Sequence, residues 1–203
     1  NEAEITNSAE QKVLDSLTPI IEDFDLVLVM DFGHGLMTPR IRELVQEKAP
    51  FLSLNCQTNS YNNGYNIINR QYSRADSFSL DETEIKLSCG LKKPDFHDTL
   101  KGLKRDLSAR YAWLTRGAIE TLGLDAENHL SRCPSFENEV IDPVGAGDAF
   151  CTIASLAAAK GLPVDAGTYL AQMAGAQAVR IIGNSEAIKK ADLLKAAQTM
   201  INF

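Results

Sequence analysis

Nine consecutive residues, Asp142-Pro143-Val144-Gly145-Ala146-Gly147-Asp148-Ala149-Phe150, hold the sharpest chemistry in the chain. Gly145 and Gly147 permit a tight turn and let backbone N–H groups approach a ligand closely. The small-residue helix that follows adds unpaired donors and a partial positive charge. Together they make an anion hole. Asp148 beside it would repel a resting phosphate, yet it suits a base that takes the proton of an attacking hydroxyl while the backbone holds the moving phosphoryl group. A Gly-x-Gly pair before an Asp also describes an ordinary capped helix start, so the residues alone leave both readings open. Two familiar phosphate loops are excluded. No Lys-Ser or Lys-Thr follows at Walker A spacing, and Phe150 occupies the third glycine position of the dinucleotide fingerprint. A β-branched residue at position 147 is expected to crowd both the turn and the ligand.

The rest of the composition narrows the field. The chain has 203 residues, 44% hydrophobic and 23% charged, which excludes disorder, collagen-like repeats and coiled coil as its main character. It can bury a core without disulfides or structural metal. With 20 basic and 27 acidic side chains the net charge is −7, which opposes nucleic-acid binding but not capture of a small anion at a local positive site. No apolar run approaches the 18 residues of a membrane span; the longest, 26–30, suits a buried strand. Cys56, Cys89, Cys133 and Cys151 show no metal-ligand spacing and suggest reduced thiols in a cytoplasmic protein; a nucleophilic pairing with His34, His97 or His129 has no support. The acidic start without Met suggests a piece of something longer.

These residues must be positioned by an alternation of helical and extended periods. Ser8 to Gln11 reads as a capping box, with Val13, Leu14, Leu17, Ile20 and Ile21 as the apolar face and Pro19 splitting it. Strands are expected at 26–30, 51–54, 75–80 and 111–115; a helix opens at Thr38-Pro39 with Ile41, Leu44 and Val45 as its face, and others are expected at 82–88 and from Asp95 to about 110. The Asn-rich stretch 55–69, with Tyr61 and Tyr65, reads as loop. After Gly117 short apolar runs around Leu122 and Val140 read as antiparallel, and helices follow at 147–160, 165–182 and 190–201. The alternation predicts one α/β domain over 1–203: three layers around a mainly parallel sheet.

Residues 142–150 closely resemble the D-T-x-G-A-G-D-x-F signature of the ribokinase-like (PfkB) carbohydrate kinases, with Pro143 in place of Thr. Residues 31–38, with His34 in place of Lys, resemble the D-Y-G-K-G-x-L-T segment of the heptose-phosphate kinase branch. Asp81-Glu82-Thr83-Glu84 falls where the family carries N-x-x-E, Thr115-Arg116-Gly117 resembles its T-x-G-x-x-G turn with Glu120 at the second glycine, and residues 170–183 resemble its late adenine-side helix.

The resemblance implies ATP-dependent phosphoryl transfer to a sugar or sugar-phosphate hydroxyl. Asp148 would be the general base, and the amides of Gly145, Ala146 and Gly147 the anion hole. Thr115, Gly117, Gln172 and Gly183 would line the nucleotide site, and Glu84 with Asp81 would direct Mg²⁺ through water. A monovalent cation is implied near Asp142 and Gly183. Acid pairs at a helix start also complement the helix dipole, which is the plainer reading of Asp81 and Glu84. Family members begin with a strand, glycine-rich turns and a small β lid that supply most sugar contacts. The chain therefore reads as the nucleotide-side part of such a kinase, inactive alone and prone to self-association along an uncovered sheet edge. In the heptose branch the kinase is commonly fused to a nucleotidyltransferase, which suggests ADP-heptose synthesis. The departures at Pro143, Asp81, Glu120 and Gln172 favour the alternative of a nucleotide-binding module or pseudokinase; a Rossmann-type oxidoreductase lacks its fingerprint.

Overall fold

A computed structural model describes residues 4–58, 64–136 and 140–201. Thr6 accepts the Ala9 N–H at 3.3 Å and opens α1 (Asn7–Leu17), so the cap lies two residues before the expected Ser8. The helix stops before Pro19, whose ring a helix interior would not accommodate. Next come β1 (Val27–Asp31), α2 (Pro39–Lys48), β2 (Leu52–Cys56), α3 (Ile68–Gln71), β3 (Ser77–Asp81), α4 (Glu82–Cys89), α5 (Phe96–Asp106) and β4 (Tyr111–Thr115). The hairpin β5 (Glu120–Leu124) and β6 (Leu130–Pro134) leads to α6 (Ala146–Ala159), α7 (Val164–Ala178) and α8 (Lys190–Ile201).

The six strands lie side by side in chain order. Pairs from β1 to β4 are parallel, and β4–β5 and β5–β6 are antiparallel. Growth in one direction by right-handed crossovers requires the connecting helices to share a face. Val45 of α2, Ile85 of α4 and Leu100 of α5 accordingly share one core with Leu52, Leu54, Phe78, Leu80 and Leu114. On the opposite face Trp113 packs with Phe150, Ala154 and Ala171 of α6 and α7.

The central strands are buried on both faces, but the faces differ in chemistry. Residues of β2 and β3 alternate between large apolar side chains toward the first core and Ser53, Asn55, Ser77 and Ser79 toward α6, all buried. Small groups let α6 approach closely. Ser53 Oγ lies 2.6 Å from Ser155 Oγ and 2.7 Å from Ser77 Oγ, so the buried hydroxyls satisfy one another. β1 differs: it pairs with β2 alone among the described residues, is partly exposed, and borders an apolar trough of about 590 Å³ with Val13, Leu17 and Ile41.

Three expectations require correction. The second antiparallel run is β6 rather than the region of Val140, which is exposed. The helix opened by Asp95 stops at Asp106, where Leu107 turns to cap it. The Asn-rich stretch is not loop throughout: Asn55 and Cys56 belong to β2, and Ile68 begins α3. Asn66 is buried and donates to the Asp31 and Gln57 carbonyls at 2.9 and 3.1 Å. Tyr61 lies outside the described residues, and Tyr65 is exposed. Among the described residues no helix is long and apolar enough to cross a membrane.

Candidate active site

Parallel strands gather their C-terminal ends on one rim, where ligands of open α/β sheets bind. Two cavities meet there. One, of about 450 Å³, lies between the β4–β5 turn and α7 and is lined by Thr115, Gly117, Thr121, Ala146 and Gln172. The other, of about 350 Å³, lies beyond the ends of β2 and β3 and is lined by Gln57, Thr58, Ser79, Glu84, Gly145 and Asp148. Asp81, Thr115, Pro143 and Gly147 border both.

The start of α6 stands at the junction. Gly145 is its N-cap in the left-handed region at φ +85°, and it offers no side-chain cap. Of the first-turn N–H groups, that of Ala146 donates to the Pro143 carbonyl at 3.3 Å, and those of Gly147 and Asp148 meet no side-chain cap. Position 147 behaves otherwise than expected: a Cβ there would meet nothing within 4 Å, and its φ is not left-handed. A side chain at 147 would crowd the cavities and not the turn.

Asp142 ties the motif down. Its carboxylate accepts the Val144 N–H at 3.0 Å and the Gly183 N–H at 2.8 Å, which hold its pKa below the usual carboxylate range. Gly183 itself, in the left-handed region at φ +60°, borders neither cavity.

Asp81 and Glu84 form a reciprocal capping box. The Asp81 Oδ1 accepts the Glu84 N–H, and the Glu84 Oε2 accepts the Asp81 N–H, both at 2.7 Å. Glu84 Oε1 also accepts the Thr58 N–H at 3.2 Å. Burial first, and then the charge of Asp81, push the Glu84 carboxyl up to about 8. Burial thus favours the neutral form of Glu84, whose two oxygens are both engaged, whereas Asp81 is exposed beside both cavities. Among the described residues no three His, Cys, Asp or Glu side chains group as a metal site.

Several contributors carry no motif. Gln57, in the Asn-rich stretch, donates to Asp148 Oδ1 at 2.7 Å. Thr121 donates to Gln172 Oε1 at 2.7 Å and fixes that side chain in the first cavity. Arg116 lies 4.6 Å over the Phe96 ring and pairs with Glu82 and Glu120 at 3.3 and 2.8 Å. Only the apolar-to-polar alternation of β2 hinted that the residues just after it face α6. His34 is exposed, edge-on to Phe32, and lines the trough beside β1 rather than either cavity.

The topology, with α6 opening on the strand ends, is the ribokinase-like fold of the PfkB sugar kinases. Phosphofructokinase-2 from Escherichia coli (mutant Y23D) superposes with a TM-score of 0.78 at 12% identity, covering 98% of this chain and 64% of its own. Ribokinase from Arabidopsis thaliana, complexed with ribose and ATP, superposes with a TM-score of 0.70 at 15% identity, covering 96% of this chain and 60% of its own. In sequence the chain is similar to part of the bifunctional protein HldE. It is 26% identical to that of Citrifermentans bemidjiense over 184 residues, which are 89% of this chain and 37% of the relative. It is 27% identical to that of Campylobacter jejuni serotype O:2 over 168 residues, 81% of this chain and 35% of the relative. The chain thus spans little more than a third of these relatives. No protein-family profile matches it.

Proposed function

We propose that residues 1–203 form, as one domain, the nucleotide side and catalytic base of a carbohydrate kinase that transfers the γ-phosphoryl group of ATP to a hydroxyl of a sugar or sugar phosphate. One observation carries the reading: two cavities meet at Gly147, and Asp148 lies in only one of them. ATP fits the first, its base near Gln172 and its phosphates running past Thr115 and Gly117 to the α6 N-terminus. The acceptor fits the second. As its oxygen attacks, Asp148 takes the proton, and the amides of Gly145, Ala146 and Gly147 hold the charge spread over the phosphoryl oxygens.

The residues present fit Mg²⁺ through Asp81, whose carboxylate borders both cavities, and Glu84 holds that side chain in its cap. Bound Mg²⁺ neutralises phosphate charge and keeps several of its waters, so a single carboxylate suffices. The carboxylate of Asp142 accepts one backbone N–H on each oxygen and serves as a tie, and a monovalent cation near Asp142 and Gly183 would depend on backbone carbonyls. The resemblance of residues 31–38 to the heptose-phosphate kinase branch makes a heptose phosphate the first acceptor to test. The same branch makes a fused nucleotidyltransferase and a place in ADP-heptose synthesis the companion proposals.

The test uses the full-length polypeptide that carries these residues, with ATP, Mg²⁺ and a panel of sugars and heptose phosphates. Asp148→Asn should lower turnover by roughly 10²–10⁴ with ATP affinity unchanged. Equal turnover in the variant would remove Asp148 as base. ATP binding with no phosphorylated product from any acceptor would leave a nucleotide-binding module.

A further inference from the structure

We infer that Gln57 is a positioning residue that aims Asp148 at the acceptor, an inference that rests on the proposed role of Asp148 as base. The orientation follows from donors and acceptors alone. Asn55, buried at the end of β2, brings its Nδ2 within 2.9 Å of the Ser79 carbonyl. A backbone carbonyl only accepts, so the Asn55 nitrogen must face it and the Asn55 oxygen must face the other way. That oxygen meets the Gln57 side-chain amide at 2.7 Å, which must therefore present Nε2. The second hydrogen of the same Nε2 points at Asp148 Oδ1, also at 2.7 Å. A backbone group of β3 thus sets, through two carboxamides, the direction of a carboxylate on α6.

Each link has a chemical consequence. The donor to Asp148 is neutral, so it orients the carboxylate without neutralising it, as a lysine or arginine would. Because Oδ1 is engaged, Oδ2 is the oxygen left for the acceptor's hydroxyl proton. Gln57 also borders the acceptor cavity, so its loss would displace the base where misplacement matters most. An error of about 1 Å in a reacting group costs on the order of 10²-fold in rate.

The test is a double-mutant cycle in the full-length polypeptide, read as kcat, KM for ATP and ATP affinity. Gln57→Met keeps the volume and removes the donor; it should lower kcat ~10- to 100-fold and leave ATP affinity unchanged. Gln57→Glu keeps the shape but sets a second carboxylate against Asp148, and it should be the worse of the two. In an Asp148→Asn background Gln57→Met should change kcat by less than about twofold, because the group it aims is gone. A merely structural role would cost the same factor in both backgrounds and would rank Glu above Met. In the full-length polypeptide with Gln57 intact, the Gln57 side-chain amide resonances should move on Asp148→Asn; unmoved resonances would mean that the contact is absent and would overturn the inference. If Asp148→Asn abolishes turnover while Gln57→Met turns over normally, this inference alone falls. If Asp148→Asn turns over normally, the proposed function falls with it.

Discussion

Gly145 and Gly147 stand two residues apart, and the structure gives them different work. Gly145 occupies the left-handed region at φ +85°, where a side chain costs roughly 1–2 kcal/mol. Gly147 is the second residue of α6, has open space where a Cβ would go, and borders both cavities. Gly147→Ala should therefore stabilise the fold by about 0.4–1 kcal/mol, because it restricts the unfolded chain and suits a helix. At 2–4 °C per kcal/mol for a chain of this size, that raises Tm by roughly 1–4 °C. The same methyl group would stand where the phosphates approach the helix N-terminus. Losing one charge-assisted hydrogen bond there costs about 1.5–3 kcal/mol, or roughly 10- to 150-fold in ATP affinity. Gly145→Ala is the contrasting variant, expected to lower Tm by roughly 2–8 °C. Thermal unfolding paired with ATP titration calorimetry reads both effects. A Gly147→Ala protein that binds ATP like the wild type, or that loses stability as Gly145→Ala does, would refute the assignment of phosphates to this turn.

Glu84 should make stability depend on pH. Its folded pKa is raised, so the stability it contributes is fully present below about 4.5 and is lost as pH rises through about 8. Glu84→Gln should flatten the unfolding free energy against pH between 5 and 8 by an amount on the order of 3 kcal/mol, and equal slopes in the two proteins would show that Glu84 titrates normally. Gly123→Ala in β5 should be severely destabilising. A Cβ there would stand 2.5 Å from Thr168 Oγ1 and 2.8 Å from Trp113 Nε1, atoms already bonded to each other at 2.9 Å. Overpacking and a broken buried hydrogen bond together cost roughly 2–6 kcal/mol, and the fluorescence of Trp113, the single Trp in the chain, should report a Tm lower by about 4 °C or more.

The order of elements was legible because apolar periodicity and caps point the same way through most of the chain. Thr38 before Pro39, Asp81 before Glu82 and Asp95 before Phe96 cap helices within one residue of expectation. Where competing signals existed, local pattern chose wrongly. Thr6 and Ser8 are both competent caps, and only the hydrogen bond to Ala9 decides between them. Val140 was apolar enough to suggest a strand, but the hairpin register pairs Leu124 with Leu130 and ends β6 at Pro134. The proposed anion hole could be read from the sequence because its chemistry lies in consecutive residues. Gln57 was not: its partners are two residues away in Asn55 and 91 positions away in Asp148, and no spacing rule connects a strand end to a helix that closes over the opposite face.

The four departures from the kinase signature were the strongest argument for a site that has lost its chemistry. A decaying site should leave substituted side chains without partners, since nothing maintains the old contacts. The structure shows the reverse. Asp81 caps α4 as Asn would, because either side chain accepts the same N–H. Glu120 pairs with Arg116 and with Arg132 at 2.8 and 3.0 Å, holding Arg116 at the edge of the turn whose second glycine it replaces. Gln172 takes the Thr121 hydroxyl, and the Pro143 carbonyl accepts the Ala146 N–H at 3.3 Å as the motif turns into α6. Among the described residues, the buried side-chain atoms left without a partner belong to Arg42, Asn66 and His97, none of them a departure. Asp81, Glu120 and Gln172 have side-chain partners at the capping box, the turn and the first cavity, whereas the contact at Pro143 is a backbone one that any residue would offer. Contacts of this kind serve a transferring site and a binding module alike, so product formation by the full-length polypeptide, and not the substitutions, separates the two.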